Sequence, residues 1–421
     1  MTTELTFELL LKSISQNGAA LRSITRLQPV GGQGDRVFPA TFSGGTYAIE
    51  KRRISPASAA TPEAKIEVDC VLLNSNASEA NHAELALLEA VRREIIRLPL
   101  IEVNFESANE TLLKPLQNLT SLEVPHRLAD AILRDSNLPD GTRFSKSSYA
   151  ASWRAANLWN ATPVYRLCPT ALVFGMWGSP EKPGGLGAKF ERAFVSEVMA
   201  IDVDPIGILD KAGKTMVPKR PGFRIDPLNA NSKVPLRITG NGFEVLSESK
   251  KNSPLKASEL NHGNILIESA NCGVRFQYAE QVTVVSFGAL RKLKFPVNGK
   301  ASPDRDDAGR AVLASIALCA AVFAAERGTS LRSRCHLFPE AERTWELIAA
   351  PGATPESFTL SGEQAAQILT AAIDRAEKLG LTWNKEALVL KPTPELVALT
   401  RRSQEIAATE VIAPEPTPDA A

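Results

Sequence analysis

Residues 20–45 read ALRSITRLQPVGGQGDRVFPATFSGG, a stretch in which an alternating pattern runs into a glycine-rich segment. Apolar and polar residues alternate over 20–27, which is the two-residue period of a half-buried strand, and the pattern ends at Pro29. Glycines let backbone N–H groups approach a phosphate closely, and they equally suit a wide turn between strands. The loop at 31–45 therefore has two open interpretations.

Strand and helix patterns are mixed along the rest of the chain. Strands are predicted at 65–73, 98–105, 170–177, 192–203 and 273–287. Helices are predicted at 5–15, 78–96, 305–327 and 361–379, and a helical, arginine-containing stretch is predicted at 125–168. Because strands and helices do not alternate strictly, the pattern favours an α+β fold with an antiparallel sheet and large insertions over a doubly wound parallel sheet.

The composition is that of a globular chain. Of 421 residues, 44% are hydrophobic and 23% are charged, which excludes a disordered, collagen-like or membrane-embedded protein. The 48 basic and 47 acidic residues leave a net charge of +1, so any nucleic-acid surface must be local and balanced by acid elsewhere. The apolar run 311–325 is too short to span a bilayer of about 30 Å and predicts a buried helix.

The termini and the cysteines indicate a cytoplasmic protein. Acidic residues stand near the amino terminus where a signal peptide carries Lys or Arg, so no targeting segment is predicted. The five cysteines are widely spaced and form no CxxC pair, which is typical of reduced thiols.

Familiar enzyme motifs are absent from the sequence: there is no P-loop, HExxH, GxSxG or EF-hand pattern. Cys335 and His336 are adjacent, so on a strand they would point to opposite faces and would not form a nucleophile–base pair. Asp304, Asp306 and Asp307 lie where a helix is predicted to begin, a position that favours acids without any metal. We therefore predict no catalytic residue, no metal site and no cofactor.

Basic residues are grouped in three places. Residues 205–300 hold 15 Lys/Arg against 7 Asp/Glu in a chain that is almost neutral overall. The candidate phosphate contacts are Lys211, Lys214, Lys219, Arg220 and Arg224 in the first group, Arg291, Lys292 and Lys294 in the second, and Arg332 and Arg334 in the third. Each group alone could be a solvated face. Together they favour nucleic acid.

Aromatic residues are concentrated in the arginine-containing stretch at 125–168. They are Phe144, Tyr149, Trp153, Trp159 and Tyr165. Aromatic side chains can stack on bases, but at helical spacing they more often form core, so we predict core for this group.

Several strings resemble, in order, those of one protein family. Besides residues 20–45, they are VLLNSNASEAN (71–81), PHRLADAILRDS (125–136), PTALVFGMWGS (169–179), RAFVSEVMAIDV (192–203), ALRKLKFP (289–296) and LRSRCHL (331–337). Over about residues 20–340 the chain resembles the repeated crRNA-binding backbone subunit, of the RAMP superfamily, of the subtype I-U (I-G) CRISPR interference complex, or Cascade.

The resemblance implies a modified RRM or ferredoxin-like (βαββαβ) core with finger and thumb insertions. Residues 1–400 would form a single palm domain that contains a helical finger-like insertion at about 60–165. A basic thumb-like hairpin or loop would occupy about 205–240. The acidic, proline-containing tail at 401–421 is predicted to be disordered.

The resemblance also implies a function and further site residues. Copies of the subunit would polymerise along a crRNA as a non-catalytic ribonucleoprotein filament and leave the bases free to pair with target DNA in antiviral defence. The expected partners are other copies, the other subunits of the effector complex and a recruited helicase-nuclease, with no membrane. The residues that match the family's RNA-contacting elements are Gly31, Gly32 and Arg36 in the loop, and Asn74, Ser75 and Asn81 in a polar element. In that polar element, Asn74 replaces the family's Asp, and His82 stands where the family has Arg.

Two alternatives remain open at this point. Related RAMP subunits cut bound RNA through a loop aspartate, and Asp35 is the candidate for a metal-dependent endoribonuclease here. The other alternative is a structural interaction protein that binds no nucleic acid.

Overall fold

The computed structural model describes residues 4–40, 42, 47–54, 66–108, 113, 116–178, 188–204 and 273–410, and six short strands between 208 and 256 by their backbone. The chain forms two compact units. One consists of residues 1–109, 116–204 and 273–393, and the other of residues 110–115, 205–272 and 394–421.

The described chain contains helices and strands in comparable measure. The α-helices are α1 (Phe7–Ser15), α2 (Asn76–Arg92), α3 (Ala131–Arg134), α4 (Ser148–Arg154), α5 (Thr162–Leu167), α6 (Thr170–Phe174), α7 (Phe287–Arg291), α8 (Pro303–Glu326), α9 (Gly362–Lys378) and α10 (Pro394–Glu410). Short 3-10 helices lie at Phe105–Ala108, Arg127–Ala129 and Phe144–Lys146.

The strands are β1 (Ala20–Pro29), β2 (Ile49–Ile54), β3 (Ile66–Asn74), β4 (Ile101–Asn104), β5 (Asn118–Thr120), β6 (Ser136–Asn137), β7 (Met176–Trp177), β8 (Lys189–Phe190), β9 (Phe194–Val203), β10 (Ile208–Leu209), β11 (Thr215–Met216), β12 (Lys233–Val234), β13 (Leu236–Thr239), β14 (Gly242–Val245), β15 (Leu255–Lys256), β16 (Phe276–Ser286), β17 (Thr329–Arg332), β18 (Cys335–Pro339), β19 (Trp345–Ile348), β20 (Glu356–Phe358) and β21 (Leu388–Pro392).

A curled antiparallel sheet organises the larger unit. Its order is β17-β18-β1-β16-β9-β3-β2, and β19 pairs with the start of β1 and with β20. Within it, β1, α2, β9, β16, α8 and β18 follow one another as β-α-β-β-α-β, and the four strands lie in the order β18-β1-β16-β9. This is the split βαβ arrangement of the ferredoxin-like fold, with the β2–β3 hairpin inserted ahead of α2. The predicted α+β fold is confirmed.

The longest helix, α8, lies in the core on nearly all sides. Ser302 caps it by accepting a hydrogen bond from the N–H of Arg305, and Pro303 occupies the first turn. By length and composition α8 could cross a membrane, and 83% of its most apolar window is buried inside the protein. The predicted buried helix is therefore confirmed.

One predicted strand is wrong. Residues 170–177 fold as the five-residue helix α6 followed by the two-residue strand β7. Every residue of α6 is buried, and a short run that is apolar on all sides carries no period that separates helix from strand. Gly175 then ends the helix at φ +87°, a conformation that disfavours residues with a Cβ.

The regions predicted as insertions contribute strands to more than one sheet. Within 60–165, β3 and α2 belong to the main sheet and its helical layer, whereas β4, β5 and β6 join β21 in a separate four-stranded sheet. The side chains of the predicted thumb at 205–240 lie outside the described residues. Helix α10 runs to Glu410, so the predicted tail begins inside a helix, and residues 411–421 lie outside the described residues.

Candidate nucleic-acid interface

The glycine loop leaves β1 at the edge that pairs with β18. The N–H of Val30 donates to the carbonyl of His336 at 3.0 Å, and this bond ties the start of the loop to β18. Gly32 and Gly34 have φ values of +99° and +82°, where an L side chain is disfavoured. At Gly31 a Cβ would overlap the Asp35 carboxylate. The loop is thus a tight turn that only glycines build without strain.

Several N–H groups of this turn take no part in its internal hydrogen bonds. The turn closes through Gly32 N–H to the carbonyl of Pro29 at 2.9 Å and through Asp35 N–H to the carbonyl of Gly32 at 3.0 Å. Within the described part of the chain, the N–H groups of Gly31, Gln33 and Gly34 donate to no protein acceptor. Adjacent N–H groups such as those of Gln33 and Gly34 can contribute to a concave anion-binding surface.

After the turn, the chain packs against the β17–β18 hairpin. Val37 exchanges backbone hydrogen bonds with Val274 at 3.0 and 2.8 Å, and the N–H of Phe38 donates to the carbonyl of Arg334 at 3.0 Å. The Arg334 guanidinium lies 4.6 Å from the centroid of the Phe38 ring. The glycine loop and the third basic group are therefore neighbours.

The two arginines of this hairpin have different environments. Arg332 is partly buried and donates to the carbonyl of Phe38 at 3.3 Å and to Oδ1 of Asn74 at 3.5 Å. Arg334 is exposed and has φ +59°, an unusual backbone conformation for an arginine. Arg332 links the hairpin to the end of β3, and Arg334 presents its charge to solvent.

The polar element at 74–81 begins at the same place. Asn74 is buried at the end of β3, and its amide donates to the carboxylate of Glu79 while its oxygen accepts from Arg332. Ser75 caps α2 by accepting from the N–H of Ser78 at 3.4 Å. Asn81 is exposed farther along α2.

A buried polar network beneath the sheet holds this element in place. Oε2 of Glu79 accepts from Ser196 Oγ at 2.9 Å and from Gln281 Nε2 at 2.6 Å. Arg343 donates to the other end of Gln281 at 2.6 Å, and burial lowers the pKa of its guanidinium. These hydrogen bonds fix the amide of Asn74, and through it the position of Arg332.

Cys335 and His336 point to opposite faces, as predicted. Cys335 is buried, and burial raises the pKa of its thiol to about 11, so the thiol is neutral at physiological pH. His336 is exposed, and its Nδ1 lies 2.8 Å from Ser330 Oγ. The pair does not form a catalytic dyad.

The second basic group has protein partners. Arg291 donates to the carbonyls of Ile14, Gln16 and Gly18, and so caps the end of α1. Lys292 pairs with Glu191 at 2.5 Å, and Lys294 pairs with Asp306 at 3.2 Å. RNA binding by these three residues stays a prediction. The first group, Lys211, Lys214, Lys219, Arg220 and Arg224, lies outside the described residues.

The other sequence candidates are mostly structural. Phe144, Trp153 and Tyr165 are buried, as predicted for core, whereas Tyr149 and Trp159 are exposed. Asp306 accepts from the N–H of Phe295 at 2.7 Å near the start of α8, and Asp307 pairs with Arg310. Among the described residues, no group of three or more His, Cys, Asp or Glu side chains is placed to hold a metal ion.

Sequence reasoning missed three contributors to the interface. Phe38 supports Arg334, and Glu79 and Arg343 hold the polar element. An aromatic residue just after a glycine loop was an available signal for Phe38. The bonds of Glu79 to Ser196 and Gln281 join residues more than 100 positions apart, so no local pattern contained them.

Comparison with known proteins finds one family that is similar to part of the first half of the chain. Residues 21–205 match the model of a family described as CRISPR-associated protein GSU0053. The matched range includes the glycine loop and the element at 74–81, and it ends before the β17–β18 hairpin. No curated protein matches the chain. Over these residues the chain is similar to a CRISPR-associated protein family.

Proposed function

We propose that this CRISPR-associated chain is the crRNA-binding backbone subunit of a type I effector complex. The observation that carries the proposal is that three separate sequence elements meet at one place, although β17–β18 and β3 lie toward opposite ends of the strand order of the curled sheet. The glycine turn, the end of β3 and the β17–β18 hairpin are linked there by hydrogen bonds through Phe38, Asn74 and Arg332.

The chemistry of this meeting place suits a phosphate backbone. The N–H groups of the turn offer donors at close range, while Arg36 and Arg334 are exposed cations beside them. Such contacts hold sugar-phosphate without reading bases, so sequence recognition is left to base pairing between guide and target DNA.

Polymerisation on the guide requires a head-to-tail contact between copies, which is a heterologous interface. A chain with a net charge of +1 whose exposed cations are local can stack along RNA without strong self-repulsion. The subunit acts in the cytoplasm with its companion subunits, recruits a helicase-nuclease through the complex, and performs no catalysis itself.

Asp35 has a structural role that accounts for its presence in the loop. Its Oδ1 accepts from the N–H of Arg36 at 2.8 Å, and its carboxylate packs against Gly31. The alternative of a metal-dependent endoribonuclease predicts cleavage of a complementary RNA that Asp35→Ala abolishes. Intact RNA in that assay removes the alternative.

The proposal is tested by co-expression with a CRISPR array and the companion subunits, followed by size-exclusion chromatography and sequencing of bound RNA. We expect a large ribonucleoprotein enriched in repeat-spacer RNA, and we expect the double variant Arg332→Ala/Arg334→Gly to lose most of that RNA. Arg93→Ala, which removes an exposed arginine paired with Glu89 on α2, is the matched control and should retain it. A nucleic-acid-free wild-type particle would refute the proposal and favour a structural interaction protein.

A further inference from the structure

A second surface on the larger unit combines an exposed indole with cations. It is a groove of about 560 Å³ between the 3-10 helix at Arg127–Ala129 and the β7–β8 hairpin. Trp177 lines the groove with 71% of its surface exposed, although tryptophan is highly buried on average. The groove shares no residue with the glycine loop, the polar element or the β17–β18 hairpin.

The hairpin that carries Trp177 is held in place by buried neighbours and a backbone hydrogen bond. Met176 and Phe190, which pair across the hairpin next to Trp177, are both buried, and the N–H of Gly178 donates to the carbonyl of Ala188 at 2.8 Å. At Gly178 a Cβ would come within 2.7 Å of the Trp153 ring, so the backbone lies directly on the core. Trp177 is therefore exposed on a fixed backbone.

The floor of the groove is a buried ion pair. Arg127 donates to both oxygens of Glu84, at 2.5 and 2.7 Å, and to the carbonyl of Gly175 at 3.1 Å. Burial raises the pKa of the Glu84 carboxyl, and the guanidinium groups of Arg127 and Arg192 oppose that shift. Glu84 is hydrogen-bonded to Arg127 and also attracts Arg192, whereas Arg192 itself stays exposed at the rim.

The rim is cationic. The Lys189 ammonium lies 5.9 Å from the centroid of the Trp177 ring, and Arg192 is exposed and lines the same groove. Within the described residues, neither Lys189 nor Arg192 forms a salt bridge. Glu191, the one acid at the rim among the described residues, pairs with Lys292 at 2.5 Å.

We propose that this groove binds a single-stranded nucleic-acid segment, with a base stacked on Trp177 and its phosphates held by Lys189 and Arg192. A flat aromatic face beside cations is the combination that binds single strands without sequence preference. An acidic protein segment could pair with the cations but would gain little from the indole face. The exposed indole therefore favours nucleic acid. The inference rests on the proposed function, because the strand is either the guide RNA or the target DNA of the same particle.

The experiment uses the particle purified after co-expression with a CRISPR array and companion subunits, and it has two arms. One measures guide RNA retained per subunit, and the other measures capture of a labelled complementary single-stranded DNA by fluorescence anisotropy. Trp177→Leu keeps apolar bulk without the aromatic face, Trp177→Phe keeps an aromatic face, and Lys189→Gln removes one cation. Trp159→Leu changes another exposed indole, 78% exposed, outside the groove and is the matched control.

We expect Trp177→Leu to weaken one arm by about 5- to 100-fold and Trp177→Phe to restore most of it, since a stacked base contributes in that range. Lys189→Gln should flatten the salt dependence of the same arm by about one unit. The arm that changes identifies the strand as guide or target.

Three results would overturn the inference while leaving the proposed function intact. They are wild-type behaviour of Trp177→Leu in both arms, an equal loss with Trp159→Leu, and loss of a companion subunit with both nucleic-acid arms unchanged, which would make the groove a protein-docking surface. A wild-type particle without RNA or DNA binding would overturn both proposals together.

Discussion

Replacing Arg334 by glycine should separate RNA binding from folding. Arg334 sits at φ +59°, and a residue with a Cβ costs roughly 1–2 kcal/mol in the left-handed region. Glycine removes that cost. It also removes the stacking of the guanidinium on the Phe38 ring, about 0.5–1 kcal/mol at an exposed site, and adds about 0.5–1 kcal/mol of backbone entropy to the unfolded chain.

These terms nearly cancel, so Arg334→Gly should change the free energy of unfolding by no more than about 1 kcal/mol and Tm by only about 2–4 °C. The hydrogen bond from the N–H of Phe38 to the carbonyl of residue 334 is kept because it involves backbone alone. Folding is therefore preserved while one exposed cation is removed from each copy.

The expected functional effect is electrostatic. Measured by anisotropy between about 50 and 200 mM salt, the plot of log Kobs against log salt should flatten by about 0.7 for each phosphate that a copy no longer neutralises, equally for different guide sequences. Arg93→Ala should leave the slope unchanged. An unchanged slope for Arg334→Gly, or weaker binding confined to some guides, would refute the assignment of Arg334 to the RNA backbone.

Three further predictions concern stability. Arg127→Met should lower the free energy of unfolding in urea by about 3–5 kcal/mol because it leaves the buried Glu84 charge unpaired. The double variant Arg127→Met/Glu84→Gln should recover most of that loss. A loss below about 1 kcal/mol for Arg127→Met alone would contradict the prediction. Gly309→Ala should lower the free energy of unfolding by about 1–3 kcal/mol, because the new Cβ would lie 2.7 Å from a phenylalanine ring. In the control Gly288→Ala, the new Cβ lies 3.7 Å from a serine hydroxyl, so this variant should be neutral or stabilising. Equal Tm values for the two variants would be evidence against this packing. The hydrogen bond from the adjacent arginine lowers the pKa of Asp135, so the carboxylate stabilises the fold at neutral pH and this stabilisation is lost as the pH falls through that lowered pKa. The difference in Tm between wild type and Asp135→Asn should therefore shrink in acid. A difference that does not change with pH would refute the pairing.

Two kinds of local pattern predicted elements correctly. β1 shows two-residue alternation, α8 contains the long apolar run 311–325, and both form where predicted. The strand prediction at 170–177 was wrong because the helix formed there is short and every one of its residues is buried, so no polar face shows a helical period.

The components of the candidate interface were also visible in the sequence, but their proximity was not. The glycine turn, Asn74 and the hairpin of Arg332 stood out separately as a turn, a polar element and a basic group. The second basic group stood out equally, yet its arginine caps α1 and its lysines pair with acids that lie elsewhere in the chain. Charge in a sequence does not say whether a partner lies nearby in the fold.

By itself, the sequence determined the α+β class, the principal strands and helices, and a local cationic character within a neutral chain. Only the tertiary structure decided which of these features meet. Asn74 and Arg332 are 258 positions apart and become neighbours because β3 and β17 belong to the same curled antiparallel sheet. Local periodicity reports how one segment faces solvent, whereas a binding site depends on how distant segments are placed by strand order and packing.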